Sequence, residues 1–325
     1  MTKKILSIDG GGIRGIIPVL LLSEIEARLN QNCKTLSDVF DLYAGTSTGG
    51  IIALGLAKQK PLELSELLEM YTGEPARRIF KKDFLSYFIP DNWRVLEDER
   101  YASKGINSVL KSFFGEAETM GELKQNVLIT SYDTEKSKAT IFTHFNHVKD
   151  CEYMDIPVWS IARATSAAPT YFEPHHFSTN YHGRKIEYTC VDGGMIANNP
   201  TMCAYVEAKK QWPDEKIIVV SIGTGTLKQS TPFEDVKNLS KIGWLPKIFP
   251  IFFDGMNDTV DYQLEKILTE NQEYFRFQIE LTEKDSDQLD NTSHRNMNYL
   301  ENLTNNYISN SDKWEDKINS LICRL

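Results

Sequence analysis

Gly45-Thr46-Ser47-Thr48-Gly49 sets one serine between two glycines, after the apolar segment Val39 to Ala44 and before the apolar run Ile51 to Leu56. The spacing is G-x-S-x-G, a sharp strand-to-helix turn that exposes a serine hydroxyl as a nucleophile. Gly45 and Gly49 flank Ser47 because side chains there would collide across so tight a turn. The helix that follows opens with unpaired N–H groups aimed at the turn, where they favour developing negative charge. The plainer reading is a glycine-rich connection, and five-residue matches of this kind recur by chance.

A second glycine cluster, Asp9-Gly10-Gly11-Gly12-Ile13-Arg14-Gly15, ends the alternating segment Lys3 to Ile8 and precedes apolar residues at helical spacing from Ile16 to Asn30. Strand, glycine loop and helix make an anion-holding layout. Gly10, Gly12 and Gly15 satisfy the dinucleotide fingerprint, but that use needs a second strand and an acid about 20 residues on. The polar run Asn30-Gln31-Asn32-Cys33-Lys34 stands there instead. A phosphate loop of the Walker type lacks its lysine–serine or lysine–threonine pair. The remaining use is an oxyanion hole, in which consecutive backbone N–H groups face the reacting centre unshielded by side chains. A third stretch, Asp192-Gly193-Gly194, closes the strand predicted over Ile186 to Val191. An acid at a strand's C-terminal end faces the crevice where open α/β sheets keep their sites; the plainer reading is a turn aspartate.

The elements that must position these residues alternate. Helices are expected over Ile51 to Lys58, Leu62 to Tyr71, Ile156 to Ala168, from Asn198-Asn199-Pro200 to about Lys210, and over Val260 to Leu268 and Met297 to Tyr307. Strands are expected over Asn126 to Thr130, Lys138 to Phe145 and Lys216 to Ile222, the first two joined through Thr134 to Ser137. This order predicts an α/β protein with a mostly parallel central sheet flanked by helices on both faces, followed by a mainly helical C-terminal extension. Gly49, Gly50 and Gly55 each weaken their helix by roughly 1 kcal/mol relative to alanine, which points to close approach of another backbone. The aromatic stretch Ile242 to Phe253 is expected to break at Pro246 and Pro250, forming either a wall or lid over a site or a satellite core. His175 and His176 are placed in a loop, and Asp285 to Asn298 in a surface loop.

Composition narrows the function classes. The hydrophobic share is 41% and the charged share 25%, values ordinary for a soluble globular chain. The net charge of −9 argues against a nucleic-acid binder that relies on bulk electrostatics. From Asp254 onward 15 acidic and 7 basic side chains carry almost all of that charge, so the preceding part can approach a lipid surface without repulsion. Between Glu74 and Trp93 basic residues alternate with aromatic ones, a pattern that suits anionic head groups or an ordinary helix with a solvated basic side. Five cysteines without a C-x-x-C pair support neither a zinc site nor a disulfide framework, and reduced thiols point to a cytoplasmic location. No leader or spanning segment is read at the start, where the longest apolar run is Ile16 to Leu22.

Taken together, the three glycine motifs resemble the patatin-like phospholipase family, in its order and approximate spacing. The resemblance covers roughly Lys3 to Ala208 and includes Ala164-Thr165-Ser166-Ala167-Ala168-Pro169 and Asn198-Asn199-Pro200. It implies a patatin-like three-layer fold with a catalytic core over 3–208; the order of expected elements leaves 209–325 to complete the sheet and add the helical extension or a lid, and nothing functional is carried over beyond about Gly225. It further implies that Ser47 is the nucleophile and Asp192 its partner in a Ser-Asp dyad, with Gly10, Gly11 and Gly12 as the oxyanion hole. Asp9, Arg14, Gly15, Gly45, Gly49, Gly193 and Gly194 are then supporting motif residues. No histidine, metal or other cofactor is implied. The expected substrate is a phospholipid or another acyl-ester lipid, met at a membrane surface by a cytoplasmic protein that is peripheral when active, with no nucleic acid as partner. Some bacterial members of the family are effectors switched on by cyclic nucleotides; no residue here establishes such an activator, nor an oligomeric state. Two other readings stay open: an α/β-hydrolase triad using His294, the only histidine well downstream, and a nucleotide-binding switch built on the first glycine loop.

Overall fold

The computed structural model describes residues 2–81, 101–227, 232–237, 239–268, 274–283, 286 and 288–325. Its centre is β1 (Thr2–Ile8), flanked on one side by β2 (Leu42–Gly45) and β3 (Asn126–Asp133), and on the other by β7 (Lys216–Ile222) and β8 (Tyr274–Phe277). These five strands are parallel throughout. Beyond them lies an antiparallel wing of β4 (Lys138–His144), β5 (His175–Tyr181) and β6 (Arg184–Asp192). The sheet is therefore mixed, and the cause is loop length. Two strands joined by a few residues can only pair antiparallel. The β5–β6 connection is two residues long, His182 and Gly183, with φ of 48° and 73°, the positive pair that matches the twist of a tight hairpin. His175 and His176 thus sit in β5 rather than in a loop.

Alternation along the strands fills two cores. Ile5, Leu42, Ala44, Leu128, Ile217 and Val219 pack on one face against Ala204 and Ala208 of helix Thr201–Gln211. Leu6, Ile8, Tyr43, Val127, Ile129 and Val220 face the opposite, larger core, built with the helices that follow β1 and β2. Each fully buried aliphatic side chain contributes roughly 1.5–3 kcal/mol. The result is three layers, helix on sheet on helix. In chain order the longer helices are α1 (Ile16–Asn30), α2 (Thr48–Ala57), α3 (Leu64–Thr72), α4 (Glu74–Ile79), α5 (Ser103–Phe114), α6 (Val158–Thr165), α7 (Thr201–Gln211), α8 (Lys241–Ile267), α9 (His294–Asn310) and α10 (Asp312–Ile322). Residues 82–93 of the basic–aromatic stretch lie outside the described residues.

Three expectations change. Helix α8 runs straight through Pro246 and Pro250. A proline inside a helix removes its own N–H donor and crowds the preceding turn, so the backbone bonds of the residues around positions 246 and 250 carry the helix onward to Ile267. Helix α6 stops at Thr165, before Pro169, because the carbonyls of Thr165 and Ala167 accept the N–H groups of Gly193 and Asp192 at 3.2 and 2.9 Å. Helix α9 starts at His294, inside the expected loop, where the Ser293 hydroxyl accepts the Asn296 N–H at 3.3 Å. Among the described residues no helix is long and apolar enough to cross a membrane.

Pairing along β3 explains why the two candidate catalytic strands meet. Gly45 at the end of β2 is paired with Ile129, and Asp192 at the end of β6 with Ser131. With β4 on the other edge of β3, β2 and β6 share one edge and approach it from opposite ends. Their C-termini therefore converge over a gap about two residues wide.

Candidate active site

Ser47 stands in that gap with φ 53° and ψ −122°, a strained conformation for a residue with a side chain. The strain is held from several sides. The Ser47 N–H donates to Thr165 Oγ1 at 2.8 Å, and Thr46 Oγ1 donates to the Ala197 carbonyl at 2.6 Å. A Cβ on Gly49 would strike the carbonyl oxygens of Ile8 and Asp9, so the first turn of α2 lies directly on the end of β1. All ten residues of α2 are buried. The glycines that weaken this helix let it sit where its N-terminus points at Ser47.

Ser47 Oγ donates to Asp192 Oδ2 at 2.7 Å, although the two residues are 145 positions apart. The other carboxylate oxygen, Oδ1, accepts the Gly194 N–H at 2.7 Å. The Asp192 backbone is fixed by its bond to Ala167 O at 2.9 Å. Burial pushes the Asp192 carboxyl up to about 6, against the opposing pull of the Ser47 hydroxyl, the Gly194 N–H and the positive charge of Arg163. Arg163 is itself buried, donating to Ser103 Oγ at 2.7 Å, Glu173 O at 2.9 Å and Asn107 Oδ1 at 3.1 Å. A carboxylate near 6 is a stronger base than a solvated aspartate near 3.9, yet still ionised at neutral pH.

The first glycine loop closes over the pair. Gly10 is clamped at both ends of its peptide, its N–H donating to Asn198 O at 3.0 Å and its carbonyl accepting from Thr224 Oγ1 at 2.7 Å. Its N–H is thus already used, which takes Gly10 out of the expected set of oxyanion donors. The N–H groups of Gly11 and Gly12 have no acceptor among the described residues. Arg14 draws the Gly11 carbonyl the other way through its backbone N–H at 3.1 Å and Nε at 3.4 Å, and its Nη1 reaches Gly225 O at 3.1 Å. Gly12 has φ 56°, and a Cβ there would strike the Leu289 carbonyl; only glycine takes this left-handed turn without cost.

Ser47, Asp192, Gly11 and Gly12 line one cavity of about 240 Å³ whose remaining wall is largely apolar, including Ile51, Met70, Ile79, Ile106, Phe172 and Phe253. A nucleophile with an adjacent base, two N–H donors and an apolar trough can attack a carbonyl attached to a hydrocarbon chain. His294 is not part of this arrangement. It does not line the cavity, and its Nε2 lies 2.6 Å from Arg77 Nη2. His175 and His176 bond to Ser160 Oγ and Thr189 Oγ1. The sequence reading missed the bracing roles of Thr165, Asn198 and Arg163. Thr165 and Asn198 stood inside quoted segments, but what they accept are backbone N–H groups of distant residues, Ser47 and Gly10. Arg276, on β8, had no sequence signal; its Nη2 lies 2.6 Å from Asp9 Oδ2.

Residues 6–205 match the family model described as patatin-like phospholipase. The chain is 30% identical to Patatin-like protein 1 of Arabidopsis thaliana over 94% of its own length and 81% of that protein. It is 29% identical to Patatin-01 of Solanum tuberosum over 94% of its own length and 83% of that protein. The crystal structure of VipD from Legionella pneumophila aligns with 99% of this chain and 67% of its own at a TM-score of 0.45 and 11% identity.

Proposed function

The chain belongs to the patatin-like phospholipase family, carboxylic ester hydrolases of lipids, and on that premise we propose that it cleaves acyl esters through a Ser47–Asp192 dyad. The observation that carries the reading is the 2.7 Å hydrogen bond from Ser47 Oγ to Asp192 Oδ2 at the floor of an apolar cavity. Ser47 Oγ attacks the ester carbonyl carbon as its proton passes to Asp192. The carbonyl oxygen gains the negative charge and is met by the Gly11 and Gly12 N–H groups, each such donor contributing roughly 2.7–4 kcal/mol in comparable sites. Collapse breaks the ester C–O bond, and the leaving alcohol takes the proton from Asp192. Water, deprotonated by Asp192, then attacks acyl-Ser47; the acyl–Oγ bond breaks, Asp192 returns the proton to Ser47 Oγ, and the fatty acid leaves. Phospholipids are the leading substrate class, with the acyl chain lying along Ile51, Met70 and Phe253.

A fluorophosphonate should label Ser47 alone, located by peptide mass spectrometry, and the labelling rate should fall as pH drops through about 6, because protonated Asp192 no longer accepts the hydroxyl proton. Labelling elsewhere, or a rate independent of pH across that range, would remove the dyad.

The lipid surface is met by the N-terminal half of α8. Ile248, Ile251 and Phe252 are 49%, 54% and 41% exposed and follow i, i+3, i+4 spacing, which puts them on one stripe. The next residue, Phe253, lies on a different side of the same helix, where it lines the cavity, with its ring centroid 6.0 Å from that of Phe252. Ile251→Asp with Phe252→Asp should cut binding to phospholipid vesicles, and turnover on them, by about tenfold or more, while hydrolysis of a water-soluble short-chain ester stays within twofold. Equal vesicle flotation by variant and wild type would place the contact elsewhere.

A further inference from the structure

Beneath the glycine loop a buried polar seam joins three strands and helix α8. Arg276 on β8 is in register with Ser221 on β7, which is in register with Ser7 on β1. The guanidinium crosses above Ser221, donating to its Oγ at 3.0 Å, and ends against Asp9 Oδ2 at 2.6 Å. On its other side Arg276 Nε lies 3.4 Å from Asp261 Oδ2 on α8, and Asp261 Oδ1 also accepts from Tyr274 OH. Asp9 is 1% exposed. Its second carboxylate oxygen, Oδ1, has no hydrogen-bond partner among the described residues. Arg276 is therefore its ionic anchor. Asp9 is also the residue from which Gly10, Gly11 and Gly12 depart, and its N–H is fixed to Ile222 O at 3.0 Å. Arg276 lies outside the residues 6–205 that match the family model.

We propose that Arg276 is a positioning residue of the ester hydrolase: it holds the Asp9 carboxylate, and through it aims the Gly11 and Gly12 N–H groups at the reacting oxygen. The inference rests on Ser47 as nucleophile and on this loop as the oxyanion hole. Its physical logic is one of buried charge. Burial alone pushes the Asp9 carboxyl up, to about 6 even with Arg276 opposing it. Without the guanidinium, a carboxylate in so dry a place takes up a proton and loses its fixed partner. The loop then keeps its backbone bonds at Asp9 and Gly10 but not the side-chain anchor that sets its angle. Oxyanion donors act in the transition state, so the loss falls on kcat rather than on KM.

The test compares wild type, Arg276→Met, Arg276→Lys, Asp9→Asn and the Asp9→Asn/Arg276→Met pair on a water-soluble ester, with Ser47→Ala alongside and circular dichroism to establish folding. Arg276→Met should lower kcat about 100-fold with KM changed less than about threefold, and move the acid limb of kcat up by about 1–3 pH units. Arg276→Lys, which keeps the charge, should recover about tenfold of that loss. The double variant should be no slower than Arg276→Met, because the two residues act as one unit. A folded Arg276→Met with wild-type kcat and an unmoved acid limb overturns the proposal, as does full additivity in the pair. Should Arg276→Met fail to fold, Arg276→Lys decides: wild-type kcat overturns the proposal, and reduced kcat at unchanged KM supports it. Turnover surviving in Ser47→Ala would overturn the nucleophile and this proposal with it. An inactive Ser47→Ala beside a normal Arg276→Met overturns the proposal alone.

Discussion

Ser47→Ala is expected to bring ester hydrolysis down to assay background, a loss on the order of 10⁶-fold in kcat when a serine nucleophile is deleted. The variant should fold. The contact that holds the strained turn in place, from the Ser47 N–H to Thr165 Oγ1, belongs to the backbone and survives the substitution. Glycines at 45 and 49 still let α2 seat against β1. What disappears is the hydroxyl and its bond to Asp192. Because that bond holds the carboxyl down, the aspartate of the variant should titrate higher than in wild type. Turnover, fluorophosphonate labelling and near-ultraviolet circular dichroism measured on one preparation separate loss of chemistry from loss of fold. Hydrolysis at a wild-type rate would leave Ser47 without a role.

Asp192→Asn carries the second large effect, and it has two signs. Catalysis should fall on the order of 10⁴-fold, as when the acid that serves a serine is neutralised in place, and Asp192 should no longer contribute to the acid limb of kcat/KM near 6. Stability should move the other way. Burial raises the carboxyl of the folded chain above its unfolded value near 3.9. The folded state therefore holds a proton that the unfolded state releases. That contribution is fully present below about 4 and is lost as pH rises through about 6, so at pH 8 the ionised Asp192 is a buried charge costing on the order of 2–3 kcal/mol. Asparagine has the same shape, keeps an oxygen for the Gly194 N–H, and carries no charge. Its melting temperature should exceed that of wild type at pH 8, and the gap should shrink toward pH 5. A gap of constant size across that range would mean that the aspartate is not strained by its burial.

These expectations mark a boundary between local and non-local information. The elbow was legible in Gly45-Thr46-Ser47-Thr48-Gly49 because a turn this tight is decided by residues within a few positions of each other. The elements β1, β2, β7 and α2 were legible for the same reason, since alternation in β1, apolar runs in β2 and α2 and β-branching in β7 are properties of short windows. The resemblance of three motifs in order then named Ser47 and Asp192 together. Their separation could not be read from spacing. It follows from β2 and β6 sharing one edge of β3 from opposite ends, a consequence of strand pairing over long sequence distances.

The same reasoning accounts for what was missed. Helix α6 was expected to run on to Ala168, but the carbonyls of Thr165, its last residue, and of Ala167 just beyond it are taken by Gly193 and Asp192. Helix α8 was expected to break at its prolines, but a single helix spans Lys241–Ile267. Gly10 looked equivalent to Gly11 and Gly12 in sequence, and only the position of the Asn198 carbonyl separates them. Backbone carbonyls carry no residue identity, so a sequence cannot announce which of them will capture an N–H group. Arg276 is the same case with charges. Arginine on an edge strand is unremarkable until β8 lies beside β7 and β7 beside β1, at which point it is the ionic partner that the buried Asp9 carboxylate meets. The chain by itself determined which residues could do chemistry and the turns that present them. The tertiary structure decided which N–H groups of the glycine loop have no acceptor among the described residues and which distant charge meets Asp9, because both depend on neighbours that only the sheet brings together.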